Sequence, residues 1–294
     1  MASTHRIANL VAILLPFAGL VLGIALLWGW GLSWIHLVLL FGMYLITGLG
    51  VTIGFHRLFT HKSFETGPVL RAVFGVLGSM SVQGPVMAWV SHHRCHHQHS
   101  DTEGDPHTPH GGDGSGLMHL VKGFCRAHIG WMMMSTKSET NFAKYIPDLQ
   151  KDRLVRWISR LFPLWVLISL LIPTVIAGLV TMTWTGALLG LVWGGLVRIF
   201  MVHHITWSVN SVCHIWGNRP FQSHDESRNN AIVGVLAFGE GWHNNHHAFP
   251  TSARHGLRWW QFDLSYVIIR ALESVGLIWN VRIPTPERIA AKRV

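Results

Sequence analysis

The chain has 294 residues, of which 49% are hydrophobic and only 13% are charged, and its formal net charge is +9. Soluble globular proteins carry about 25% charged residues, so this composition argues against an ordinary soluble domain and predicts a membrane protein. The sequence has no internal repeat or low-complexity linker, and we therefore interpret residues 1–294 as a single domain.

Two long stretches without charge predict four membrane-spanning helices. Residues 7–55 and 161–197 contain no Lys, Arg, Asp or Glu, and at about 20 residues per crossing each can cross a bilayer twice or nearly so. Short uncharged turns with tryptophans, Trp28–Gly31 and Thr181–Trp184, divide the two stretches. The predicted spans are 7–27, 33–55, 161–182 and 185–204, and residues 56–160 and 205–294 are predicted to form a helical cap.

The basic residues predict the orientation. Of the 23 Lys and Arg, all except Arg198 lie in the N-terminal tail, in residues 56–160 or after the fourth helix. With four crossings these parts share one side, and the positive-inside rule assigns that side to the cytoplasm, together with both termini and the cap. The excess of basic over acidic residues thus indicates membrane topology and contact with lipid headgroups. No nucleic acid partner is expected. The apolar run at residues 5–27 is too long for a cleaved signal peptide, so a retained first helix is predicted.

Residues 68–90 are apolar but contain Arg71, several glycines and Pro85. A full crossing here would put His56 and His93 on opposite sides of the membrane. We therefore predict a re-entrant or interfacial pair of short helices.

Histidines concentrate in four groups, each near an apolar segment. In the two HxxHH boxes, which begin at His93 and His243, positions i, i+3 and i+4 lie on one helical face. The pair His56 and His61 is five residues apart, so both can bind a metal only if the helix ends or bends between them. His214 follows Asn210 by one helical turn, and polar groups in membrane helices are usually functional. One such pair alone could be interfacial, but four groups on one side of the membrane predict a shared metal site.

About nine imidazoles suffice for two metal ions with open positions, whereas a structural zinc site needs four ligands and typically uses thiolates. Imidazole suits iron, copper, nickel and zinc, so the ligand type leaves the metal open. Asp101, Glu103 and Asp105 are expected to accept hydrogen bonds from imidazole N–H groups, with a solvated acidic loop as the alternative.

The order HRLFTH, HRCHH, NSVCH and HNNHH, with Asp105-Pro-His after the second motif and Gly239-Glu-Gly-Trp before the last, resembles the integral-membrane fatty-acid desaturases of the stearoyl-CoA, Δ9 type. The resemblance implies an all-α fold of four transmembrane helices under a cytosolic cap that holds two iron ions. It also implies that Asn210 contacts one iron through water. The nine ligands implied are His56, His61, His93, His96, His97, His214, His243, His246 and His247.

By the same resemblance the chain uses O2 and electrons from a separate protein, such as a ferredoxin or rubredoxin, to insert a cis double bond, at Δ9, into an acyl chain. Animal acyl-CoA enzymes have charged CoA-binding residues where this chain has Ser91-His92 and Ser135-Thr136. The acyl carrier therefore stays open between CoA, acyl carrier protein and membrane lipid. Trp207, Gln83 and Trp89 are candidate tunnel residues, with ordinary packing as the alternative.

Two other functions fit parts of the pattern. A hydroxylase or ketolase would use the same iron pair and retain an oxygen in its product. A metal transporter would carry ligands along the interiors of its membrane helices, which are nearly free of them here. Zinc can also replace iron in a purified sample, because both metals accept imidazole.

Overall fold

The computed structural model describes residues 2–27, 31–111, 114–133 and 143–294, and the predicted turn at Trp28–Trp30 and the pair Ser135-Thr136 lie outside them. Within these ranges the chain is mostly helical, as predicted. In chain order the elements are α1 (Ala2–Leu27), α2 (Trp34–Leu49), β1 (Glu65–Thr66), α3 (Pro68–Ser79), α4 (Val86–His99), α5 (Leu117–His128), α6 (Pro147–Lys151), α7 (Arg153–Arg160), α8 (Phe162–Thr181), α9 (Trp184–Gly190), α10 (Arg198–Ile215), α11 (Ala231–Leu236), α12 (His243–Ala248), α13 (Leu264–Ser274), β2 (Ile278–Trp279) and α14 (Pro286–Ala291).

Four helices are long and apolar enough to cross a membrane, which confirms the predicted fold class. They comprise Arg6–Leu27, Trp34–Thr60, Phe162–Thr181 and Trp184–Ile215. The second and fourth are continuous because π-helical stretches, Gly50–Thr60 and Leu191–Val197, extend or join their α-helical parts. The first and third pack loosely within the chain and expose most of their apolar side chains.

The second and fourth helices extend beyond residues 55 and 204, where the predicted spans end. The helices continue to Thr60 and Ile215. Polar residues follow both of these positions, and their side chains are buried or half-buried against protein. Arg57, for example, is fully buried and pairs with the carboxylates of Glu240 and Asp263.

The one basic residue predicted to lie inside a span is also satisfied by protein. Arg198 is fully buried in α10. Its guanidinium donates to the carbonyls of Gly194, Met80 and Ser169 and to the Ser169 hydroxyl. Arg198 therefore ties α10 to α8 and to the end of α3.

Residues 68–90 form part of a helix pair, as predicted, with α3 and α4 joined by a short turn. The α3 helix packs closely against the π-helical end of the second span: a Cβ added at Gly50 would lie 2.3 Å from the Gly78 nitrogen. The α4 helix continues past residue 90 to His99 and so carries the whole HRCHH motif.

The cap has its own apolar core, which joins the π-helical stretch to α4, α7 and α13. Fully buried members include Phe55, Val90, Val155 and Ile269. The short strands β1 and β2 pair antiparallel, with Glu65 opposite Trp279 and Thr66 opposite Ile278. This pairing fastens the C-terminal part of the cap to the segment that follows the second membrane helix.

Candidate metal centre

The nine histidines singled out in the sequence lie in two adjacent groups. In each group, one ligand atom from every member lies within 4.8 Å of the others. The groups touch each other, since the ring centroids of His97 and His247 are 4.5 Å apart. The five-histidine group comprises His56, His61, His93, His97 and His246, and the four-histidine group comprises His96, His214, His243 and His247.

Both HxxHH boxes are helical, but each divides its histidines between the groups. The α4 box gives His93 and His97 to the five-histidine group and His96 to the four-histidine group. The α12 box gives His246 to the first and contributes its other two imidazoles to the second. Imidazoles spaced i, i+4 share a face, while the one at i+3 is rotated enough to reach the neighbouring group.

The π-helix accounts for the pair His56 and His61. A π-helix has hydrogen bonds between residues five apart, and the amide of His61 donates to the carbonyl of His56 at 3.1 Å. Residues at this spacing therefore return to the same side of the helix, and the two ring centroids lie 4.8 Å apart. The spacing of the two histidines requires the helix to end or bend between them. The π-helix meets this requirement because it is wider than an α-helix.

The spacing between imidazole nitrogens fits metal ligands. The Nε2 atoms of His93, His97, His246 and His56 form three successive contacts of 3.1, 2.9 and 3.0 Å. An Nε2 atom carries either one proton or one lone pair, so these contacts cannot all be hydrogen bonds. Two nitrogens at right angles on one metal ion, each about 2.1 Å from it, lie about 3.0 Å apart.

Imidazole nitrogens without a hydrogen-bond partner are a second indication of metal binding. Within the described part of the chain, the buried Nε2 atoms of His61, His96 and His247 have no hydrogen-bond partner. Burying such a group without a partner costs roughly 1–3 kcal/mol, and a metal ion would remove that cost. The residues present therefore fit metal ions, and both groups can hold one.

Burial keeps most of these imidazoles neutral. It lowers the pKa of His93, His97, His243 and His246 well below the ordinary value. Burial also lowers the pKa of His247, to about 4, although Asp225 opposes it. A neutral imidazole has the free lone pair that a metal ligand requires.

Four carboxylates orient the rings through Nδ1. Asp101 lies 2.7 Å from His214 Nδ1, Asp105 lies 3.0 Å from His96 Nδ1, Asp225 lies 2.5 Å from His247 Nδ1, and Glu240 lies 2.5 Å from His56 Nδ1. An Nδ1–H donated to a carboxylate leaves Nε2 free to face a metal. Asp101 and Asp105 are therefore placed to accept hydrogen bonds from imidazole N–H groups, as expected, whereas Glu103 is exposed.

Glu240 also belongs to a buried charge network. Its carboxylate lies 3.1 Å from the Arg57 guanidinium and 3.3 Å from His255 Nδ1. Burial opposes the charge of Glu240, but Arg57 and His56 hold the pKa of the carboxyl well below its usual range. Asp263 neutralises the other side of Arg57 and accepts hydrogen bonds from the backbone amides of His255 and Gly256.

An apolar cavity opens beside the histidines, with an empty volume of about 550 Å³ that includes its opening. At one end it meets His56, His93, His243 and Asn210. The rest of its wall comes from the second and fourth membrane helices and from the segment that precedes α12, and includes Tyr44, Gly48, Val51, Val202, Ile205, Val209, Leu236, Ala237 and Phe238.

The predicted tunnel residues occupy different places. Trp89 lines the cavity. Gln83 accepts from the Trp89 indole at 3.2 Å and donates to Thr206, another lining residue, at 2.9 Å. Trp207 packs against the rings of His203, His204 and His128.

Sequence reasoning missed Asp225, Glu240 and His255. The Glu240 signal was present in Gly239-Glu-Gly-Trp, directly before the last motif, but nothing in the sequence connects it to His56. Asp225 and His255 lie in loops, and their proximity to the histidines appears only in three dimensions.

The fold and site define a protein with four apolar helices of membrane-spanning length and a candidate metal centre beside an apolar cavity. The family described as fatty acid desaturase matches residues 32–280. The chain belongs to this family and is therefore an oxidoreductase of the fatty acid desaturase family.

The relatives are named for acyl groups on three different carriers: acyl carrier protein, lipid and CoA. The chain is 42% identical to the hex-5-enoyl-[acyl-carrier protein] acetylenase of Moorena producens, over 95% of this chain and 87% of the relative. It is 38% identical to the sn-1 stearoyl-lipid 9-desaturase of Synechocystis sp., over 88% of this chain and 76% of the relative. It is also 38% identical to the icosanoyl-CoA 5-desaturase of Limnanthes douglasii, over 87% and 67% of the two chains.

Proposed function

We propose that the chain is an O2-dependent fatty-acyl desaturase that uses two iron ions, one in each histidine group, to insert a cis double bond into a saturated acyl chain. The observation that carries the proposal is the contact between both groups and one apolar cavity, through His56, His93 and His243. Bound iron would supply the activation of O2 and the removal of two hydrogens. The ligands would be the nine histidines, with Asn210 holding a water beside one ion.

The residues of the chain would hold the ions and keep water away. The carboxylates on Nδ1 fix the ring orientation. The four-histidine group is buried and the five-histidine group is buried or half-buried, which limits solvent access. The apolar wall would hold a methylene chain against the histidine end, so that the position of the chain in the cavity selects the bond that is desaturated. We propose Δ9 as that position, as in the stearoyl-lipid relative.

Membrane lipid or acyl-CoA is the proposed acyl carrier. The relatives include an enzyme named for a lipid substrate and one named for a CoA substrate, while another is named for acyl carrier protein. Electrons would come from a separate protein such as a ferredoxin or rubredoxin. We also propose that the cap and both termini face the cytoplasm, as the distribution of basic residues predicts.

The test is expression in a host that lacks the product, followed by analysis of double-bond positions in its fatty acids. We expect unsaturated product from the native chain and none from His246→Ala, with both proteins at equal levels in the membrane. Full activity of His246→Ala with unchanged iron content would contradict the metal site. Purified protein is then supplied with acyl-CoA, acyl-carrier-protein and lipid substrates to identify the carrier.

The same product analysis separates the alternative reaction. A hydroxylase or ketolase of the same iron pair would leave an oxygen atom in the product, which mass spectrometry detects as added mass. A desaturase product is lighter than its substrate by two hydrogens. An oxygenated main product would overturn the proposed reaction and leave the metal site intact.

A further inference from the structure

One wall of the cavity is a segment that leaves the cap and returns to it, residues 231–239, here called the α11 turn. Its buried residues Val233 and Ala237 pack against α10. The chain reverses at Phe238 and Gly239, where φ is 55° and 115°, and the Gly239 amide donates to the Gly234 carbonyl at 2.8 Å. Four residues later it reaches α12 and the last histidine motif.

The membrane helices give a scale for depth. The α1 helix exposes apolar side chains from Ile7 to Leu27, and at 1.5 Å per residue this is about 30 Å, the thickness of the hydrocarbon core. The α2 helix starts at the same end, because residues 28–33 join the two. Its exposed apolar side chains run only from Trp34 to Ile46, or about 18 Å.

Protein covers the remaining part of α2 while it is still at hydrocarbon depth. From Thr47 to Thr60 every side chain is buried or half-buried. The α11 turn is one of the covering elements: the Tyr44 hydroxyl donates to the Leu236 carbonyl at 2.6 Å, and the rings of Tyr44 and Phe238 pack 5.3 Å apart.

This contact gives the depth of the turn. Tyr44 lies ten residues after Trp34, which is about 15 Å along the helix and near the middle of a core about 30 Å thick. Helix tilt shortens that distance along the membrane normal, so it moves Leu236 no closer to the cap side. The α11 turn therefore lies at the depth of lipid acyl chains.

The surface of the turn suits that environment. Residues 231–239 contain no charged side chain. Ile232 is 73% exposed and Val235 54% exposed, which is costly in water and favourable against hydrocarbon. Leu236 is also exposed, and it lines the cavity from the other side.

A second apolar surface continues the turn toward the cap. The Trp242 ring would touch a Cβ built at Gly234, packs against Trp260 at 5.4 Å, and donates its indole N–H to the Phe262 carbonyl. Trp259, beside them, is 94% exposed. Tryptophans are enriched where a membrane meets water.

We infer that the α11 turn is inserted into the leaflet on the cap side of the membrane, where Ile232 and Val235 contact lipid acyl chains, and that Trp259 and Trp260 lie at the level of the headgroups. The bilayer is the occupant because the surface is continuous with the lipid-facing side of α2. Its consequence, which rests on the proposed function, is that only a thin wall including Leu236 separates a lipid acyl chain from the cavity.

Spin labels test the depth without any assay of activity. Cys125 is exposed, whereas Cys95 and Cys213 are buried, so Cys125→Ser provides the background for single labels. Ile232→Cys tests the turn, Val175→Cys on the exposed side of α8 is the lipid control, and Glu287→Cys in the exposed α14 is the water control. The full chain is placed in phosphatidylcholine vesicles, and relaxation by O2 is compared with relaxation by a water-soluble nickel chelate.

We expect O2 to relax the label at Ile232→Cys more strongly than the nickel chelate, as at Val175→Cys, with the order reversed at Glu287→Cys. Nickel relaxation at Ile232→Cys equal to that at Glu287→Cys would overturn the inference. Weak relaxation by both reagents, with coupling between labels, would also overturn it in favour of a second copy of the chain. Val235→Cys, on the same exposed surface, gives an independent measurement if the first variant fails to reach the membrane. Because no activity is measured, these outcomes are separate from the failure of the proposed reaction.

Discussion

The two histidine groups offer the same kind of ligand but have different surroundings. In the four-histidine group, three of the four rings face an aspartate through Nδ1: Asp101, Asp105 and Asp225. In the five-histidine group, Glu240 contacts one ring, and its charge is shared with the buried Arg57. One group is thus rich in negative charge, and the other is rich in imidazoles.

This difference changes how each group would hold a divalent ion. A carboxylate behind an imidazole raises the basicity of the ligand and fixes its orientation. Burial raises the pKa of Asp225, but the hydrogen bond and charge of His247 outweigh this and bring the pKa below its usual range. The four-histidine group therefore depends on each of its ligands and carboxylates, while the five-histidine group has an imidazole in excess of a four-ligand site.

The largest effect is expected from removing one ligand in each group. His247→Ala leaves three imidazoles in its group and His61→Ala leaves four, so we expect a greater loss of bound metal from His247→Ala. Double-bond formation should fall below detection in His247→Ala, and measurable metal should remain in both groups of His61→Ala. Elemental analysis of purified protein and fatty-acid analysis of the host measure these results. A greater metal loss in His61→Ala would reverse the comparison.

Changing the carboxylates tests the same contrast without touching a ligand. Asp225→Asn preserves the size of the side chain but removes the charge behind His247, so we expect one of the two ions to bind about 10–100-fold more weakly. The matched change Glu240→Gln should weaken the other ion. Competition with a chelator, followed by the spectrum of the remaining ion, distinguishes them. Identical effects on both ions in both variants would refute the separate roles.

The histidine motifs could be recognised in the sequence because their spacing is a local property. An HxxHH motif places three imidazoles on one side of a helix wherever that helix lies, and both motifs are helical. The division of each motif between two groups depends on where the other helices lie, which spacing does not contain. The pair His56 and His61 needed a π-helix, whose hydrogen bonds depend on packing against α3 and the rest of the cap.

The polar residues around the ligands were less predictable because their partners are distant in the chain. The two asparagines inside the last motif show this. Asn244 exchanges hydrogen bonds with the backbone of Phe221, and Asn245 bonds the side chains of Asn229 and Gln261. They fasten α12 to two loops, a role that only the folded chain reveals. The helix ends at residues 60 and 215 depend on the folded chain in the same way, since their polar residues are buried or half-buried against distant segments.

A change at Asn245 should affect both groups, because α12 supplies two ligands to the four-histidine group and one to the five-histidine group. Asn245→Ala leaves the buried Asn229 and Gln261 side chains short of partners, and each lost partner costs about 1–3 kcal/mol. We expect a lower unfolding temperature in detergent and weaker binding of both ions in a chelator titration, with the larger loss in the four-histidine group. Arg270→Ala removes an exposed ion pair with Glu273 and serves as the control, with an expected effect of about 0–1 kcal/mol. Selective loss of one ion in Asn245→Ala would contradict the shared role of α12.

The smallest effect concerns the cavity, which both groups touch at one end. A Cβ at Gly48 would lie 2.5 Å from Cε2 of Phe238. The outer edge of that ring can move, and because Phe238 lines the cavity, Gly48→Ala should push it into the space for the acyl chain. Each methylene that no longer fits in the cavity loses about 0.8 kcal/mol of burial free energy. This lowers the preference for the longer acyl chain about fourfold.

We therefore expect the Gly48→Ala products to shift toward shorter acyl chains while metal content stays unchanged, as measured by competition between substrates of different length. Gly42→Ala lies on the same helix, and a Cβ there would meet no atom within 4 Å among the described residues. It controls for the change in helix propensity. An equal shift in Gly42→Ala would show that the preference is set elsewhere than at Phe238, whereas a loss of metal in Gly48→Ala would show that the cavity wall and the histidine groups are mechanically linked.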